Sequence, residues 1–239
     1  MTDCYVGWKG WHGADFGRFE LKDALYHAQE LHASGIASVV GLKVGELGYG
    51  NGAFAGWVRQ AGGHWVGREA IPEIQQRAAQ AGFEVIASDA DFSKVCGSGK
   101  LDLIVAFDVI EHLELDAIRS FLSEAKEALR PGGLLLARLP SGDSPFSGVI
   151  YHGDLTHRTL LGSSAARQLA IEAGLEVCQV RSPVLPVWGL GPVRAVRRMA
   201  ARLMQALVFS FVRHVLMGHG AAVLSPNMIV VLRKAGATP

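Results

Sequence analysis

Three glycines spaced two residues apart follow an acidic residue in the first quarter of the chain. They are Gly48, Gly50 and Gly52, and Glu46 precedes them at the end of an apolar segment. Glycine permits positive φ and lets the backbone approach a ligand closely, and the alanine-rich helical segment that follows presents unpaired N–H groups at its start. The pattern predicts a strand, a tight loop and a helix that cradle a small molecule. Its spacing differs from the G-x-G-x-x-G fingerprint of dinucleotide sites, which argues against a pyrophosphate ligand.

Side chains that can transfer protons are concentrated in two further stretches. Glu111 and His112 form the first, and the stretch 151–159 contains His152, Asp154 and His157. Histidine is the natural general base near neutral pH, and Asp154 is close enough in sequence to orient His152 or His157. The same groups are also compatible with a hydrogen-bonded cluster that shapes a site without proton transfer. Glu111 and His112 offer two adjacent metal ligands without an identified third, so no metal site is predicted.

Hydrophobic periodicity places these stretches on alternating strands and helices. Helical spacing of apolar residues covers 20–33, 52–61, 72–80, 115–129 and 163–172, and strand-like runs cover 42–47, 64–69, 83–87, 101–107, 134–139, 175–180 and 227–232. This alternation predicts an α/β fold built on a doubly wound sheet. The carboxyl ends of neighbouring strands border one crevice in such a sheet. The strand-end acids Glu46, Glu69, Asp89 and Asp108 are therefore expected to share that crevice.

Composition bounds the class of protein. The 239 residues are compatible with one α/β domain, and 23 Lys and Arg against 22 Asp and Glu give no global field that argues for nucleic acid. Cys4, Cys96 and Cys178 are odd in number and lack metal-site spacing, which favours a reducing cytoplasm. No uncharged apolar run reaches the roughly 18 residues of a membrane span. The mean hydropathy of +0.23 is therefore expected to reflect an apolar core.

The motifs resemble those of a known enzyme family. Glu46-x-Gly48-x-Gly50-x-Gly52 resembles motif I of the class I S-adenosylmethionine (SAM) methyltransferases. The segment 108–113, Asp-Val-Ile-Glu-His-Leu, resembles motif IV of their small-molecule branch, and Leu-Arg-Pro-Gly-Gly at 129–133, before an apolar strand, is a further signature. The resemblance covers roughly residues 38–181.

This resemblance implies a fold, a cofactor and a set of binding residues. The fold is a Rossmann-like seven-stranded sheet of order 3-2-1-4-5-7-6 with an antiparallel strand 7, and the cofactor is SAM, with S-adenosylhomocysteine as product. Glu69 is implied to bind the ribose hydroxyls, and Asp89, or its neighbour Asp91, the adenine amino group. Arg68 stands where the family usually has an apolar residue, and we expect it to snorkel or to pair with a carboxylate. The implied cofactor-binding residues are Glu46, Gly48, Tyr49, Gly50, Gly52, Glu69, Asp89, Ala90, Phe107 and Asp108.

Two further segments suggest the methyl acceptor. Residues 153–159 and 224–229 resemble methyltransferases of bacterial surface-polysaccharide and lipopolysaccharide biosynthesis. This resemblance implies O-methylation of a sugar hydroxyl in a surface glycan or its precursor, with His157, Asp154, His152 and His112 as candidate catalytic residues. One alternative is O-methylation of a quinone-like or lipid-like small molecule. Another is a SAM-binding scaffold or regulatory protein without catalysis.

The chain is predicted to form a single domain with additions to its core. These parts are an N-terminal cap at 1–37, a SAM-binding core at 38–181, a helical insertion at 182–225, and a last strand with a tail at 226–239. The aromatic residues of 1–19 predict a lid over the ligand or a strap packed on the core. The stretch 190–217 interleaves five arginines with apolar residues at helical spacing. It could cap the crevice, form a homodimer face or lie on an anionic membrane surface, so the expected location is the cytoplasm or the inner face of the membrane.

Overall fold

The computed structural model describes residues 6–11, 15–217 and 222–236. A seven-stranded sheet runs through the described part of the chain in the order β3-β2-β1-β4-β5-β7-β6. The first five strands are mutually parallel, and β7 pairs antiparallel with both β5 and β6. The predicted strand order and the antiparallel last strand are therefore confirmed. The strands are β1 (Lys43–Leu47), β2 (His64–Arg68), β3 (Glu84–Ile86), β4 (Leu101–Phe107), β5 (Leu129–Pro140), β6 (Glu176–Arg181) and β7 (Asn227–Arg233).

Helices connect the strands and cover both faces of the sheet. They are α1 (Leu21–Ala33), α2 (Ala53–Gln60), α3 (Pro72–Gln80), α4 (Phe92–Cys96), α5 (Leu115–Ala128), α6 (Gly148–Tyr151), α7 (Ser163–Glu172) and α8 (Pro192–Phe211). Alternate residues of the central strand β4 enter two different cores. Leu103 packs with one face and Ile104 with the other, and both side chains are fully buried. Burial on both faces explains why β4 reads as a continuous apolar run.

The predicted elements differ from the observed ones in a few places. β5 begins at Leu129 and not at Leu134, because Leu129 pairs with Leu101 and the backbone of Lys234 exchanges hydrogen bonds with Gly132 and Gly133. The five-residue α4 and the four-residue α6 were not predicted. Such short helices do not repeat the 3.6-residue period often enough to be read from sequence.

The N-terminal segment packs over the glycine loop. Phe16 lies edge-on to the ring of Tyr49 at 5.6 Å, and the Gly17 amide donates to the Asn51 carbonyl. Arg77 fixes the segment from outside by donating to the Trp11 carbonyl at 2.6 Å. The described part of 1–19 is thus a strap packed on the core, and Trp11 also lines the ligand cavity described below. Tyr5 and Cys4 lie outside the described residues.

Candidate active site

The loop between β1 and α2 turns sharply against two neighbouring elements. Its first glycine, Gly48, has a φ of +66°, and a Cβ at this position would lie 2.2 Å from Val109 Cγ2. Its amide donates to the Arg68 carbonyl at the end of β2. A side chain here would therefore meet both a strained backbone and a steric clash. This explains why the loop needs glycine where it passes the segment after β4.

Glu69 joins the end of β2 to this loop. Its Oε2 accepts the Gly50 amide at 3.1 Å, and its Oε1 accepts the amides of Ala70 and Ile71. Burial raises the pKa of Glu69, and these three backbone hydrogen bonds oppose the shift. A carboxylate oxygen has lone pairs for more than one donor, so Glu69 retains the capacity to accept hydrogen bonds from the hydroxyl groups of a ligand.

A cavity of about 560 Å³ opens at the carboxyl edge of the sheet. This volume lies within the roughly 300–1,000 Å³ typical of small-molecule sites. The segments that follow β1, β2 and β4 provide much of the wall together with α5, and the N-terminal strap closes one side through Trp11. The lining residues are Trp11, Leu47, Gly48, Arg68, Glu69, Ala70, Ile71, Ser88, Asp108, Val109, His112, Leu113, Ala117, Phe121, Glu124 and Thr156.

Three of the predicted cofactor-binding residues line this cavity: Gly48, Glu69 and Asp108. Gly50 and Gly52 lie in the same loop but face the strap, since a Cβ on either would contact Trp11 or Phe16. Tyr49 points into the core, where only 4% of it is exposed. Phe107 packs in an aromatic group with His27 and Phe54. Asp89 is exposed outside the lining, Ala90 bonds Arg68 through its carbonyl, and Ser88 is the residue from this loop that reaches the cavity.

Glu46 lies beneath the loop and not at the cavity surface. Its side chain is 3% exposed, and its Oε2 accepts the indole N–H of Trp65 at 2.7 Å. Burial, only partly offset by that hydrogen bond and reinforced by the charge of Glu69, raises the pKa of Glu46 to about 8. At neutral pH Glu46 therefore holds a proton and supports the loop from below.

Asp108 stands at the end of β4 in an unusual backbone conformation. Its φ is +54°, a left-handed value that is uncommon outside glycine. Its carboxylate forms a two-point ion pair with Arg138, whose Nε lies 2.8 Å from Oδ1. The turn directs the chain from β4 into the short 3₁₀ segment Ile110–His112. Strained backbone of this kind is concentrated at functional sites.

Arg68 and Glu124 form a buried ion pair in the cavity wall. Their side chains are 12% and 9% exposed, and Arg68 Nη2 lies 2.9 Å from Glu124 Oε2. Arg68 also donates to the Ala90 carbonyl, and the Phe92 amide donates to Glu124. The expectation that Arg68 pairs with a carboxylate is thus confirmed. Sequence reasoning did not single out Glu124, which lies 56 residues away on α5.

Hydrogen bonds join the segment 111–113 to the segment 156–159. The carbonyl of Glu111 accepts the amides of Arg158 and Thr159, and the Thr159 hydroxyl donates to the Leu113 carbonyl at 2.6 Å. The imidazole rings of His112 and His157 meet with centroids 4.6 Å apart. These backbone contacts position residues 154–157 beside the segment after β4, as the shared sheet edge predicts.

The hydrogen-bond partners of His112 and His157 determine the tautomer of both rings. The Thr156 hydroxyl donates its single proton to Asp154 Oδ1 at 2.6 Å, so toward His112 Nδ1, at 2.8 Å, it can only accept. His157 Nδ1 lies 2.8 Å from the Tyr151 carbonyl, which also only accepts. Both rings therefore carry their proton on Nδ1 and their lone pair on Nε2. Asp154 thus orients His112 through Thr156, although its proximity in sequence suggested His152 or His157.

Burial and charge set the protonation states of this cluster. Burial and the neighbouring His157 lower the pKa of His112. Burial opposes ionisation of Asp154, but hydrogen bonds from Thr156 and the ammonium group of Lys9, 3.1 Å away, hold its pKa at about 2. Burial, together with the charge of Asp108, raises the pKa of Glu111 to about 8. At neutral pH the cluster therefore contains a neutral His112 beside an ionised Asp154 and a protonated Glu111.

Two further sequence predictions concern His152 and a metal site. His152 is exposed and packs on Tyr151, so the structure does not bring it to the cavity. His157 is a candidate third metal ligand that the sequence did not reveal, because one ligand atom each from Glu111, His112 and His157 lies within 4.8 Å of the others. The same three side chains could bind a metal ion or take part in proton transfer, and a chelator experiment distinguishes the two.

Comparison with known proteins identifies the family. A family model described as a methyltransferase domain matches residues 27–180, more than half of the chain. The chain belongs to this methyltransferase domain family. It is a SAM-dependent methyltransferase. Comparison with curated proteins gave no significant match.

Solved structures of methyltransferases share the fold over almost the whole chain. A SAM-dependent methyltransferase from Archaeoglobus fulgidus has a TM-score of 0.62 at 14% identity, covering 97% of this chain and 99% of that one. A protein from Galdieria sulphuraria described as a sarcosine dimethylglycine methyltransferase has a TM-score of 0.60 at 20% identity, covering 98% of both chains. The 1,6-didemethyltoxoflavin-N1-methyltransferase of Burkholderia thailandensis has a TM-score of 0.55 at 15% identity, covering 98% of this chain and 87% of that one.

The methyltransferase cavity fits the cofactor SAM. Glu69 at its wall has a carboxylate that could accept hydrogen bonds from two ribose hydroxyls, and Gly48 lets the backbone approach closely. Arg68, Ile71, Ser88 and Phe121 supply a mixed polar and apolar wall for an aromatic base. Gly48, Glu69 and Asp108 line the cavity, and the cofactor roles of these three and of Glu46, Tyr49, Gly50, Gly52, Asp89, Ala90 and Phe107 all remain predictions.

Proposed function

We propose that this methyltransferase transfers a methyl group to a sugar hydroxyl of a bacterial surface glycan or its precursor. The observation that carries the proposal is the hydrogen-bonded chain from Asp154 through Thr156 to His112 at the cavity wall. A hydroxyl is a poor nucleophile until it loses its proton, so an oriented base is of greater use to an O-methyltransferase than to an enzyme with a stronger nucleophile. The resemblance of residues 153–159 to glycan methyltransferases supplies the acceptor class.

The roles of the chain's own residues follow from the geometry. Glu69 would bind the ribose, Gly48 and the loop would border the amino-acid portion, and Arg68 with Ser88 would border the adenine. When bound, SAM supplies an electrophilic methyl group on a sulfonium. His112 accepts the acceptor's hydroxyl proton on Nε2, and the neighbouring carboxylate of Asp154 stabilises the resulting imidazolium through Thr156. Alignment of the hydroxyl with the methyl group provides the remaining acceleration.

His157 has a positioning role in this proposal. Its ring packs against His112, and its Nε2 lies 3.9 Å from Glu111 Oε1 and 4.0 Å from Asp154 Oδ2. It is mostly buried, whereas His112 lines the cavity. The sequence offered His112, His152 and His157 as candidate bases, and the cavity lining favours His112. A lipid-like acceptor is a second candidate, because exposed apolar residues, Phe146, Val149 and Leu155 among them, flank the same cluster.

Binding and turnover measurements test this function in two steps. Isothermal titration with SAM and S-adenosylhomocysteine tests the cofactor, and absence of heat at millimolar ligand would reject it. Transfer of labelled methyl from SAM to purified surface glycan, to lipid-linked glycan precursors or to a quinone-like phenol then identifies the acceptor class. Binding without transfer to any of them would favour a scaffold. A chelator such as EDTA separates the two chemistries of the cluster, since we expect unchanged activity, and its loss would assign a metal to Glu111, His112 and His157.

Substitution of the two histidines separates base from support. We expect His112→Ala to lower kcat by about 10²–10⁴, the range of a lost general base, while S-adenosylhomocysteine affinity changes little. His157→Ala should have a smaller effect on kcat. His152→Ala, on an exposed ring outside the cavity, is the matched control. The opposite order of effects would assign the role of base to His157.

A further inference from the structure

The apolar side of α8 faces outward. Only Ala195 in this helix is buried, while seven large apolar side chains are half or more exposed, from 50% at Met199 to 72% at Val193. The outward set, which we call the α8 face, consists of Val193, Val196, Met199, Leu203, Met204, Leu207 and Phe211. These side chains recur at intervals of three and four residues, so they form one stripe. A stripe of this length exceeds the scattered single apolar residues that a protein surface normally carries.

Arginines anchor the opposite side of α8 to the protein. Arg202 donates to the Leu185 carbonyl at 2.6 Å, Arg198 donates to the Pro186 carbonyl, and Arg213, just beyond the helix, donates to the Ala222 carbonyl. The helix therefore places charged groups toward its own fold and apolar groups toward the exterior. This is the reverse of a surface helix on a globular protein in water.

The segment that contains α8 is purely basic. Residues 182–226 contain five arginines and no Asp or Glu, and the last acidic residue of the whole chain is Glu176. Arg194 and Arg197 are exposed, and Arg197 lies four residues after Val193 and seven before Met204, on the border of the α8 face. Arginines in this position can extend toward phosphate groups while their stems remain on the apolar side.

Of the three roles open to this insertion, two conflict with the structure. A helix that caps the crevice would line it, yet none of the described residues of α8 is part of the cavity wall. A symmetric dimer through the α8 face would place the same patch of two copies together. The exposed Arg194 and Arg197 of both copies would then be brought to the interface without an acidic partner from either segment, which opposes association.

Length and composition alone would also allow α8 to cross a membrane. The continuous helical stretch Pro192–Met217 has 26 residues and a mean hydropathy of 1.2 in its most apolar window. However, its two ends are attached to one sheet edge, since β6 ends at Arg181 and β7 pairs Ile229 with that same residue. A single crossing leaves its ends on opposite sides of the bilayer. A return through the hydrocarbon within residues 218–226 would expose unpaired backbone to lipid.

We infer that the α8 face lies on the surface of an anionic lipid bilayer, with Arg194 and Arg197 at the level of the phosphates. An outward apolar stripe bordered by arginine is the composition of helices that lie in the membrane interface. The site belongs to the same edge of the sheet, and Phe209 of α8 packs on Phe146 in the loop after β5, with ring centroids 6.2 Å apart. This contact attaches α8 to the loop after β5, at the same carboxyl edge of the sheet as the cavity.

Vesicle co-sedimentation of the full chain tests this inference without reference to activity. We expect binding to vesicles of phosphatidylcholine with about one third phosphatidylglycerol, weaker binding at high salt, and little binding to pure phosphatidylcholine. Arg194→Gln and Arg197→Gln should each lower the partition coefficient about fivefold, because a basic residue near an anionic surface contributes about 1 kcal/mol. Leu203→Ser with Leu207→Ser should abolish binding.

Matched controls and alternative outcomes make the test decisive. Arg167→Gln and Ile171→Ser alter an exposed arginine and an exposed apolar residue on α7, and they should leave binding unchanged. Equal partition into neutral and anionic vesicles would overturn the inference. So would a failure to bind, accompanied by a dimer in sedimentation equilibrium that Leu203→Ser with Leu207→Ser dissociates. Resistance to extraction by high salt and alkaline carbonate, with release only by detergent, would instead show a membrane-spanning helix.

Discussion

The backbone amide of Gly50 donates a hydrogen bond to Glu69 Oε2 at 3.1 Å. Gly50 belongs to the loop after β1 and Glu69 follows β2, so this contact joins the two parts of the cofactor wall. The same hydrogen bond holds the Glu69 carboxylate against the loop. The cofactor wall is therefore pre-organised by the same residue that is predicted to bind the ribose.

Glu69→Gln should weaken S-adenosylhomocysteine binding by about 10- to 100-fold. The amide has one acceptor oxygen instead of two and loses the charge, and hydrogen bonds to charged groups contribute about 1.5–3 kcal/mol. Titration calorimetry measures the change. Glu84→Gln, on the exposed start of β3, is the control with the same chemical change. Equal affinity of Glu69→Gln and the parent chain would remove Glu69 from the cofactor site.

Gly48→Ala should destabilise the loop and abolish cofactor binding. The new Cβ would stand 2.2 Å from Val109 Cγ2, and the residue would keep a positive φ. Val109→Ala in the same chain removes the clash but not the backbone strain, so the double variant should recover only part of the stability and part of the affinity. Urea unfolding and calorimetry measure both. Full recovery would show that sterics alone require glycine here.

The Arg68–Glu124 pair should behave as a coupled unit. Removing one partner of a buried ion pair costs about 3–5 kcal/mol because the other charge stays buried. We expect Arg68→Met and Glu124→Gln each to destabilise the fold strongly, and the double variant to cost clearly less than the sum of the two. A double-mutant cycle by urea unfolding gives the coupling energy. Additive effects would show that the two side chains act independently.

Glu46 should make stability fall as pH rises. Its pKa is about 8 in the fold and about 4.3 in the unfolded chain. Between these values the unfolded state has released a proton that the folded state retains, so the contribution is fully present below about pH 4 and is lost as pH approaches 8. Relative to Glu46→Gln, the parent chain should lose roughly 2–4 kcal/mol of unfolding free energy between pH 5 and 8. Parallel curves for the two proteins would contradict the assignment.

The pH dependence of kcat/KM should show that His112 stays neutral at a pH somewhat below the ordinary histidine pKa. Burial and His157 lower the pKa of His112, so a base at this position remains active below the ordinary histidine value of about 6.5. The acid limb of kcat/KM should therefore fall below that value. Thr156→Val should lower kcat, because it removes the contact that fixes the tautomer. An acid limb above 6.5 would point to a different base.

Much of this fold could be read from local patterns. β4 is a buried apolar run, α3 begins at Pro72 where proline suits a first helical turn, and the motif intervals fixed the strand order through a family resemblance. The partners of these elements were harder to predict. The motif suggested that Glu46 faces the ligand, but its carboxylate is buried and accepts the indole N–H of Trp65 from the neighbouring strand β2. That pairing depends on the register of β1 against β2, which the motif does not specify.

The catalytic assignment shows the same difference between type and orientation. The sequence placed His112, His157 and Asp154 at one edge, and the structure confirms that they meet. Which histidine Asp154 orients depends on the hydroxyl of Thr156, a residue with no distinctive signal in sequence.

For α8, periodicity identified an apolar stripe correctly. Periodicity is the same whether a stripe faces the protein or the exterior, so the sequence left a crevice cap, a dimer face and a membrane-surface helix open for this segment.

The antiparallel pairing of β6 with β7 makes the 182–226 segment an exchangeable module. Its chain leaves and re-enters the sheet at one place, so changes in its length or composition leave the register of every strand intact. The cofactor half, built on β1, β2 and β4, shares no covalent boundary with it. If the α8 face binds lipid as proposed, replacing this one contiguous segment should change the surface that the methyltransferase binds without altering the strands that build the cofactor wall.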